Sequence, residues 1–422
     1  MNLAINGGQK SVTSEAKEMW KPPYEIITSS ISKMIYDGRL SGDWEHTYFP
    51  FEREIANYFG AKYCAALNCG TSALWSAYIA IGIKPGDEVL CPTYTWISTI
   101  APALFMGAAP ILCDTEADTV LVDPEDVKKK ITNKTKAIVV THMYGNIVNM
   151  DAIMDISNKL GIPVIEDCSH AHGAEWRGKK IGTIGHVGCF SMQGGYNGKP
   201  VPAGEGGFVL TNDRDIFNKI IMYTHINRSN NPEDELYPEI IERYGAERFG
   251  MKFRAHPFSL VIAREMLKSL DYRNEQKSKY RNKIISTIGN MKGIKPFKQY
   301  EQAKTAGYFG GMQLLYDEKH LLGIPLYKIH KAIAAEGVSL SYRNYKPLHL
   351  YQFLQDGHDL PGINMGIASQ NYKGYTRNDF PTTNHIIEHL IGMPVFIEET
   401  EGYSDQVINA FEKVLSNLNE IK

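Results

Sequence analysis

Lys136-Ala137-Ile138-Val139-Val140-Thr141 is an apolar run without alternation. A strand with one wet face alternates apolar and polar side chains. An unbroken run therefore belongs to a strand covered on both faces, as in a parallel sheet flanked by helices. Outward from this run, helical and extended patterns alternate between residues 52 and 225. Phe51 to Phe59 reads as an amphipathic helix closed by Gly60, and Tyr63 to Leu67 as a strand. Thr71 to Ile81 reads as a helix and Glu88 to Cys91 as a strand ended by Pro92. A helix near residues 97–106 and a strand at Pro110 to Cys113 follow. Asp123 caps a helix that has Pro124 in its first turn. Asp151 to Leu160 is a further helix and Val164 to Glu166 a further strand. The fold class is α/β with a mostly parallel sheet.

After about residue 256 the pattern changes to long helical stretches, Phe258 to Met291, followed by a mixed segment. A chain of 422 residues is long for one core. We expect a large α/β domain over residues 1–255, including an N-terminal arm, and a smaller C-terminal α+β domain over 256–422. Asn230 to Arg248 is polar and acidic and reads as an excursion near the boundary.

Hydrophobic residues make up 43% of the chain and the formal net charge is −2, which fits a soluble protein and argues against nucleic acid or an anionic membrane as partner. The longest apolar stretch, Ile97 to Cys113, is broken by Pro102 and Pro110, so no membrane span is expected. The start, Met1 to Gly8, lacks the apolar core of a secretory signal. The six cysteines stand singly, without CxxC pairs or histidines at ligand spacing. They read as buried hydrophobes in a reducing cytoplasm, with no metal site.

Ligands of open α/β sheets sit beyond the carboxyl ends of the strands. Four segments put polar residues there. In Asn68-Cys69-Gly70-Thr71-Ser72, Gly70 lets the backbone approach an anion, and the helix N-terminus with the Thr71 and Ser72 hydroxyls suits a phosphate. In Pro92-Thr93-Tyr94-Thr95-Trp96, Trp96 offers a ring for stacking. In Glu166-Asp167-Cys168-Ser169-His170, Asp167 suits a protonated ring nitrogen and His170 a ring oxygen. The fourth is Phe190-Ser191-Met192-Gln193-Gly194-Gly195-Tyr196-Asn197-Gly198-Lys199, followed by Gly204-Glu205-Gly206-Gly207. Here Ser191 adds a hydroxyl and Lys199 an amine able to condense with an aldehyde and then shuttle a proton. Amine, acid, phosphate cup and stacking ring together are the needs of pyridoxal phosphate chemistry. A plain dinucleotide-binding protein is set aside, because no G-x-G-x-x-G follows the first strand.

At these residues the chain resembles the DegT/StrS group of sugar aminotransferases, which are fold-type I pyridoxal phosphate enzymes. The resemblance also covers Leu3-Ala4-Ile5-Asn6-Gly7-Gly8, Gly70 to Leu74, His142-Met143-Tyr144-Gly145-Asn146, Ala171-His172-Gly173-Ala174 and Tyr345-Lys346-Pro347-Leu348-His349. It implies a three-layer α/β/α large domain. It assigns Lys199 as the amine that holds the cofactor, Asp167 as partner of the pyridine nitrogen, Trp96 as the stacking ring and His170 as neighbour of the ring oxygen. Gly70, Thr71, Ser72 and Ser191 become phosphate ligands. It further implies a homodimer with the active site at the subunit interface, glutamate or glutamine as amino donor, and a keto-sugar or keto-cyclitol as acceptor. The opening motif is closer to the aminocyclitol and aminohydroxybenzoate branch than to the nucleotide-sugar branch.

Two departures stand out. The loop between Ser191 and Lys199 is longer than in most relatives. Lys252, in Gly250-Met251-Lys252-Phe253-Arg254, stands where many relatives carry an Asn that reaches the neighbouring subunit's cofactor phosphate. Trp44, Tyr196, Arg228 and Tyr345 are candidates for acceptor contacts, drawn from the variable stretches and the end of the chain. Two other readings share the fold. Keto-sugar dehydratases of the group carry His in place of the lysine, which Lys199 disfavours. A non-catalytic regulatory protein that binds the cofactor would lack turnover, and no DNA-binding element supports it.

Overall fold

The computed structural model describes residues 2–14, 19–195, 198–228, 242, 250–306, 311–340, 345–357, 374–393, 395–400 and 402–421. Its strands are β1 Tyr63–Leu67, β2 Glu88–Pro92, β3 Ala109–Cys113, β4 Thr135–Thr141, β5 Val164–Asp167, β6 Glu175–Trp176, β7 Lys179–Lys180, β8 Val187–Ser191, β9 Gly207–Thr211, β10 Ile294–Pro296, β11 Ala303–Lys304, β12 Met312–Tyr316 and β13 Leu390–Met393. Seven form the main sheet, in the order β1-β9-β8-β5-β4-β2-β3. β3, β2, β4, β5 and β8 pair in parallel, whereas β9 runs antiparallel to both β8 and β1.

The apolar run of β4 is covered on both sides. Ile138 and Val140 enter one core with Phe190 and Phe208, and Ala137 and Val139 enter the other with Ile165 and Val187. All four β4 residues are at most 1% exposed. This is the packing that an apolar strand without alternation requires.

Helices alternate with these strands: α1 Tyr24–Tyr36, α2 Phe49–Phe59, α3 Gly70–Ala80, α4 Ala101–Phe105, α5 Pro124–Lys130, α6 Met150–Leu160 and α7 Arg214–Thr224. Local signals set their ends. Gly60 closes α2 at φ 74°, the left-handed conformation that glycine adopts without penalty. The Asp123 carboxylate accepts from the Glu125 N–H at the start of α5. The segment expected as one helix over 97–106 is divided into a 3-10 turn, Ile97–Thr99, and the short α4. Pro102 lies in the first turn of α4, where its missing N–H costs nothing, and the chain restarts a helix there.

After residue 256, helices α8 Pro257–Lys268 and α9 Leu270–Ile288 lead to an antiparallel sheet, β10-β12-β13. Its core also holds Leu3 and Val12 of the N-terminal arm. The Ala4 and Ser11 N–H groups both donate to the buried Glu336 carboxylate, which also pairs with Lys413 at 2.9 Å. The arm was expected with the large unit; its packing lies with the small one. Leu348, Leu354 and Phe380 cross the other way, into the main sheet's core. Of the acidic excursion Asn230 to Arg248, only Glu242 is among the described residues.

Glu52 of α2 joins three parts of the large unit. Its carboxylate accepts from the Ala66 N–H in β1 and forms a two-point pair with Arg228 at 2.9 and 2.8 Å. Both side chains are buried, at 6% and 4% exposure. Removing one partner leaves a buried charge uncompensated. Arg228→Met is therefore expected to cost about 3–5 kcal/mol in urea denaturation; a loss below about 1 kcal/mol would contradict the role given to this pair.

Candidate active site

Five strands of the main sheet end on one edge, and each delivers part of the site. β1 ends in Asn68-Cys69-Gly70 and opens α3. The Cys69 Sγ accepts from the Ser72 N–H, and the first intrahelical bond runs from Ala73 N to the Cys69 carbonyl at 3.1 Å. The amides of Gly70 and Thr71 lie ahead of that bond, at the positive end of the helix. Ser191, at the end of β8, presses against this turn. A Cβ on Gly70 would meet the Ser191 Cβ at 2.6 Å. Only glycine permits this approach, which groups Ser191 Oγ with the Thr71 and Ser72 hydroxyls around a helix N-terminus. Thr71 Oγ1 donates to Ser98 Oγ at 2.9 Å. Such a cup of neutral donors suits a phosphate.

β5 ends in Glu166-Asp167, and strand alternation sends the two acids to opposite faces. Glu166 accepts from the N–H groups of Gly182, Ile184 and Gly185, and from His142 Nε2, so its carboxylate holds a turn. Cys168 lies within reach of the same pair, but the Glu166 oxygens are already occupied, and a structural reading suffices.

Asp167 faces the site at 4% exposure. Its Oδ1 accepts from the Ser169 N–H and hydroxyl, and its Oδ2 accepts from Thr99 Oγ1 at 2.9 Å. Each threonine hydroxyl has one proton to give, so the contacts Thr95–Thr99 at 2.8 Å and Thr95–Thr141 at 2.9 Å fix a direction. Thr141 donates to Thr95, Thr95 to Thr99, and Thr99 to Asp167. The relay fixes the orientation of the carboxylate. Three of about four acceptor positions are used, leaving room for one cationic N–H.

Lys199 lies on the connection between β8 and β9, the strand of the main sheet that runs against its neighbours on both sides. The stem is closed by the bonds Gly194 N to Gly204 O at 2.7 Å and Ala203 N to Met192 O at 2.8 Å. The Lys199 N–H donates to the Gln193 carbonyl. Burial lowers the Lys199 amine from 10.5 to about 8, against an upward pull from Asp167. The amine is thus neutral in a useful fraction near neutral pH, while the carboxylate stays within electrostatic reach.

His170 is pushed well below 6.5 by burial first, then by the charge on Lys199 and by His172. Its Nδ1 accepts from the Tyr144 N–H at 3.2 Å. A neutral ring accepting at Nδ1 carries its proton on Nε2, so His170 is a hydrogen-bond donor toward the site. Tyr144 holds this geometry at φ 57°, a strained conformation for tyrosine, at the carboxyl end of β4.

An aromatic wall adjoins. Tyr345 stacks on His170 at 6.3 Å and packs near Tyr144 at 6.1 Å. The edge of Trp96 meets it at 5.7 Å. Trp96 is 53% exposed, so much of its indole remains open for a planar ligand. The Tyr345 segment is docked through Leu348 N to the Thr93 carbonyl and His349 Nδ1 to Thr93 Oγ1.

The structure therefore gathers Gly70, Thr71, Ser72, Ser191, Asp167, His170, Lys199, Trp96 and Tyr345 at one sheet edge. Three other candidates stand apart from it. Trp44 is buried against Tyr48 at 4.5 Å, with the Arg228 and Arg254 guanidiniums over its ring. Arg228 is engaged by Glu52. Expected to contact the acceptor, these two are engaged within the chain, where the Glu52 carboxylate holds the Arg228 guanidinium over Trp44. Lys252 is exposed and lines a separate cleft with Arg254, His256, Glu205 and Asn68. Tyr196 lies outside the described residues. The sequence reading missed Thr95, Thr99 and Thr141; small hydroxyl residues after strands carry no distinctive pattern.

The donor set fits pyridoxal phosphate. The cup at Gly70 and Ser191 would take the phosphate, Asp167 the ring nitrogen and Lys199 the aldehyde carbon. Gly70→Ala drives a methyl into Ser191 and spreads the cup. Binding of added pyridoxal phosphate, followed by fluorescence titration, is expected to weaken at least about ten-fold, a loss near 1.4 kcal/mol; unchanged affinity would remove the phosphate from this turn.

Comparison with known proteins agrees with this geometry. The model of the DegT/DnrJ/EryC1/StrS aminotransferase family matches residues 40–412. A protein of Streptomyces fradiae named L-glutamine:2-deoxy-scyllo-inosose aminotransferase is 31% identical over 341 residues, 79% of this chain and 78% of the relative. The L-glutamine:scyllo-inosose aminotransferase of Streptomyces griseus is 27% identical and spans 100% of this chain and 99% of its own length. In fold, the chain is similar to an aminotransferase of Psychrobacter cryohalolentis, with a TM-score of 0.79 at 24% identity, covering 96% of this chain and 99% of that one. The matched span holds the whole strand-end site, and the chain belongs to the DegT/DnrJ/EryC1/StrS aminotransferase family.

Proposed function

We propose that the chain is a pyridoxal phosphate-dependent aminotransferase that moves the amino group of L-glutamine to the ketone of a cyclitol. The observation that carries the reading is a partly buried amine, Lys199, within electrostatic reach of the oriented carboxylate of Asp167, on the sheet edge that also bears the anion cup. The cofactor supplies an aldehyde that accepts an amine and a cationic ring that draws electrons from the attached carbon. The relatives named above act, by their names, on L-glutamine and inososes, which favours a cyclitol over a nucleotide-linked sugar.

Each residue has a defined task. Asp167 keeps a proton on the ring nitrogen, and its three internal donors prevent it from turning away. His170 presents Nε2–H to the ring oxygen. Trp96 covers a ring face. Lys199, as a free amine, would carry the proton between the substrate carbon and the cofactor carbon on the other side of the nitrogen; a lowered affinity for protons suits both halves.

In this reading the protein is a homodimer, and Lys252 crosses to the neighbour's cofactor phosphate in place of a neutral Asn. Its exposure and its cleft beside Asn68 are consistent with a group aimed outside its own subunit. Among the described residues no helix is long and apolar enough to cross a membrane. All six cysteines are unpaired thiols, which supports a reducing, cytoplasmic setting.

The test is transfer itself. Wild-type protein with pyridoxal phosphate, L-glutamine and scyllo-inosose should yield the aminated cyclitol by mass spectrometry. Lys199→Ala should lower turnover by at least about 10³-fold, at the scale of a lost proton-transfer group. Product formation by Lys199→Ala at the wild-type rate would overturn the assignment. Loss of a hydroxyl from a keto-sugar without gain of nitrogen would indicate a dehydratase instead.

A further inference from the structure

The connection that carries Lys199 is unevenly supported. On its N-terminal side stand Gly194, Gly195 and Gly198. Glycine-rich chain has many accessible conformations and holds a neighbour in place poorly. On the C-terminal side Pro200 is buried, Val201 is fully buried and Ala203 is 3% exposed. Pro200 also confines the residue before it, Lys199, to extended backbone.

Arg273, on α9 some seventy residues further along the chain, reaches this firm side. It is 2% exposed. Its Nη1 donates to the Pro200 carbonyl at 2.7 Å, its Nη2 to the Met266 carbonyl at 2.7 Å and its Nε to Ser269 Oγ at 3.1 Å. The guanidinium also lies over the Trp20 ring at 5.3 Å. Every hydrogen-bond partner here is neutral, and burial lowers the group to about 10. A buried guanidinium without a carboxylate among these contacts is costly. An apolar side chain of similar length would fill the space at lower cost, so packing alone does not account for it. What an apolar side chain would lack is the fixed fork that ties helix α9 to the carbonyl adjoining Lys199.

We propose that Arg273 is the positioning residue of the lysine loop: by holding the Pro200 carbonyl, it keeps the partly buried Lys199 side chain within reach of Asp167 despite the glycine-rich stretch before it. Arg273 takes no part in the chemistry. It acts through the backbone, and the groups that face the amine remain Asp167, His170 and His172. This inference rests on Lys199 being the reacting amine.

The test measures that amine directly in the full chain without added cofactor. Lys199 is modified with an amine-selective acylating reagent over a range of pH, and the extent at Lys199 is read by peptide mass spectrometry. Wild type should give a midpoint near 8. In Arg273→Gln the loop loosens, the amine gains water and the midpoint moves up by about one pH unit, about a five-fold fall in labelling at pH 8. Arg273→Lys, which keeps one donor, should recover part of the shift. Ser269→Ala frees one arm of the fork in a milder variant and should shift the midpoint in the same direction by less.

A folded Arg273→Gln protein with lowered thermal stability but an unmoved Lys199 midpoint would make Arg273 merely structural and overturn the proposal. If that variant does not fold, an unmoved midpoint in Ser269→Ala does the same. Failure of the proposed function itself is seen separately: borohydride reduction of wild type with pyridoxal phosphate would then leave Lys199 unmodified, whatever the variants do.

Discussion

The proposed site depends on one electrostatic constraint: a primary amine of lowered proton affinity and an oriented carboxylate must share one enclosed space. Burial lowers the proton affinity of Lys199, while Asp167 opposes the shift. Asp167 is held in orientation by Ser169 and by the relay that ends at Thr99. The surroundings follow from that need. Parallel strands bring the acid, the cup and the stacking ring to one edge, and the connection that leaves the end of β8 carries the lysine at the same edge.

Much of this could be read in the amino-acid order, because strand ends in a parallel sheet are a property of local sequence. The uninterrupted apolar run of β4 signals burial on both faces. Gly60, Asp123 and the turn at Gly70 mark helix ends by their own backbone chemistry. The acid after β5 and the glycine-flanked lysine after β8 then fall on the ligand-binding edge.

What could not be read depends on partners distant in the chain. Arg228 has the look of an anion-binding residue until Glu52, 176 positions away, claims it at 2.8 Å. Trp44 is then covered by the same guanidinium. The threonine relay joins residues of three separate segments, none with a pattern of its own. Glu166, beside Asp167, carried no reading of its own: its carboxylate turns to the opposite face and holds the turn from Gly182 to Gly185. The N-terminal arm follows the same rule, since Glu336 gathers it to the small sheet through contacts more than three hundred residues apart.

The most direct measurement is the visible absorption of the pyridoxal phosphate-loaded protein before and after L-glutamine is added. The account predicts a yellow band that bleaches on addition of the donor and returns when a cyclitol ketone follows, with Lys199 as the attachment point. A protein that takes up the cofactor yet keeps its band unchanged with glutamine, and likewise with glutamate, would contradict the account and favour a non-catalytic role.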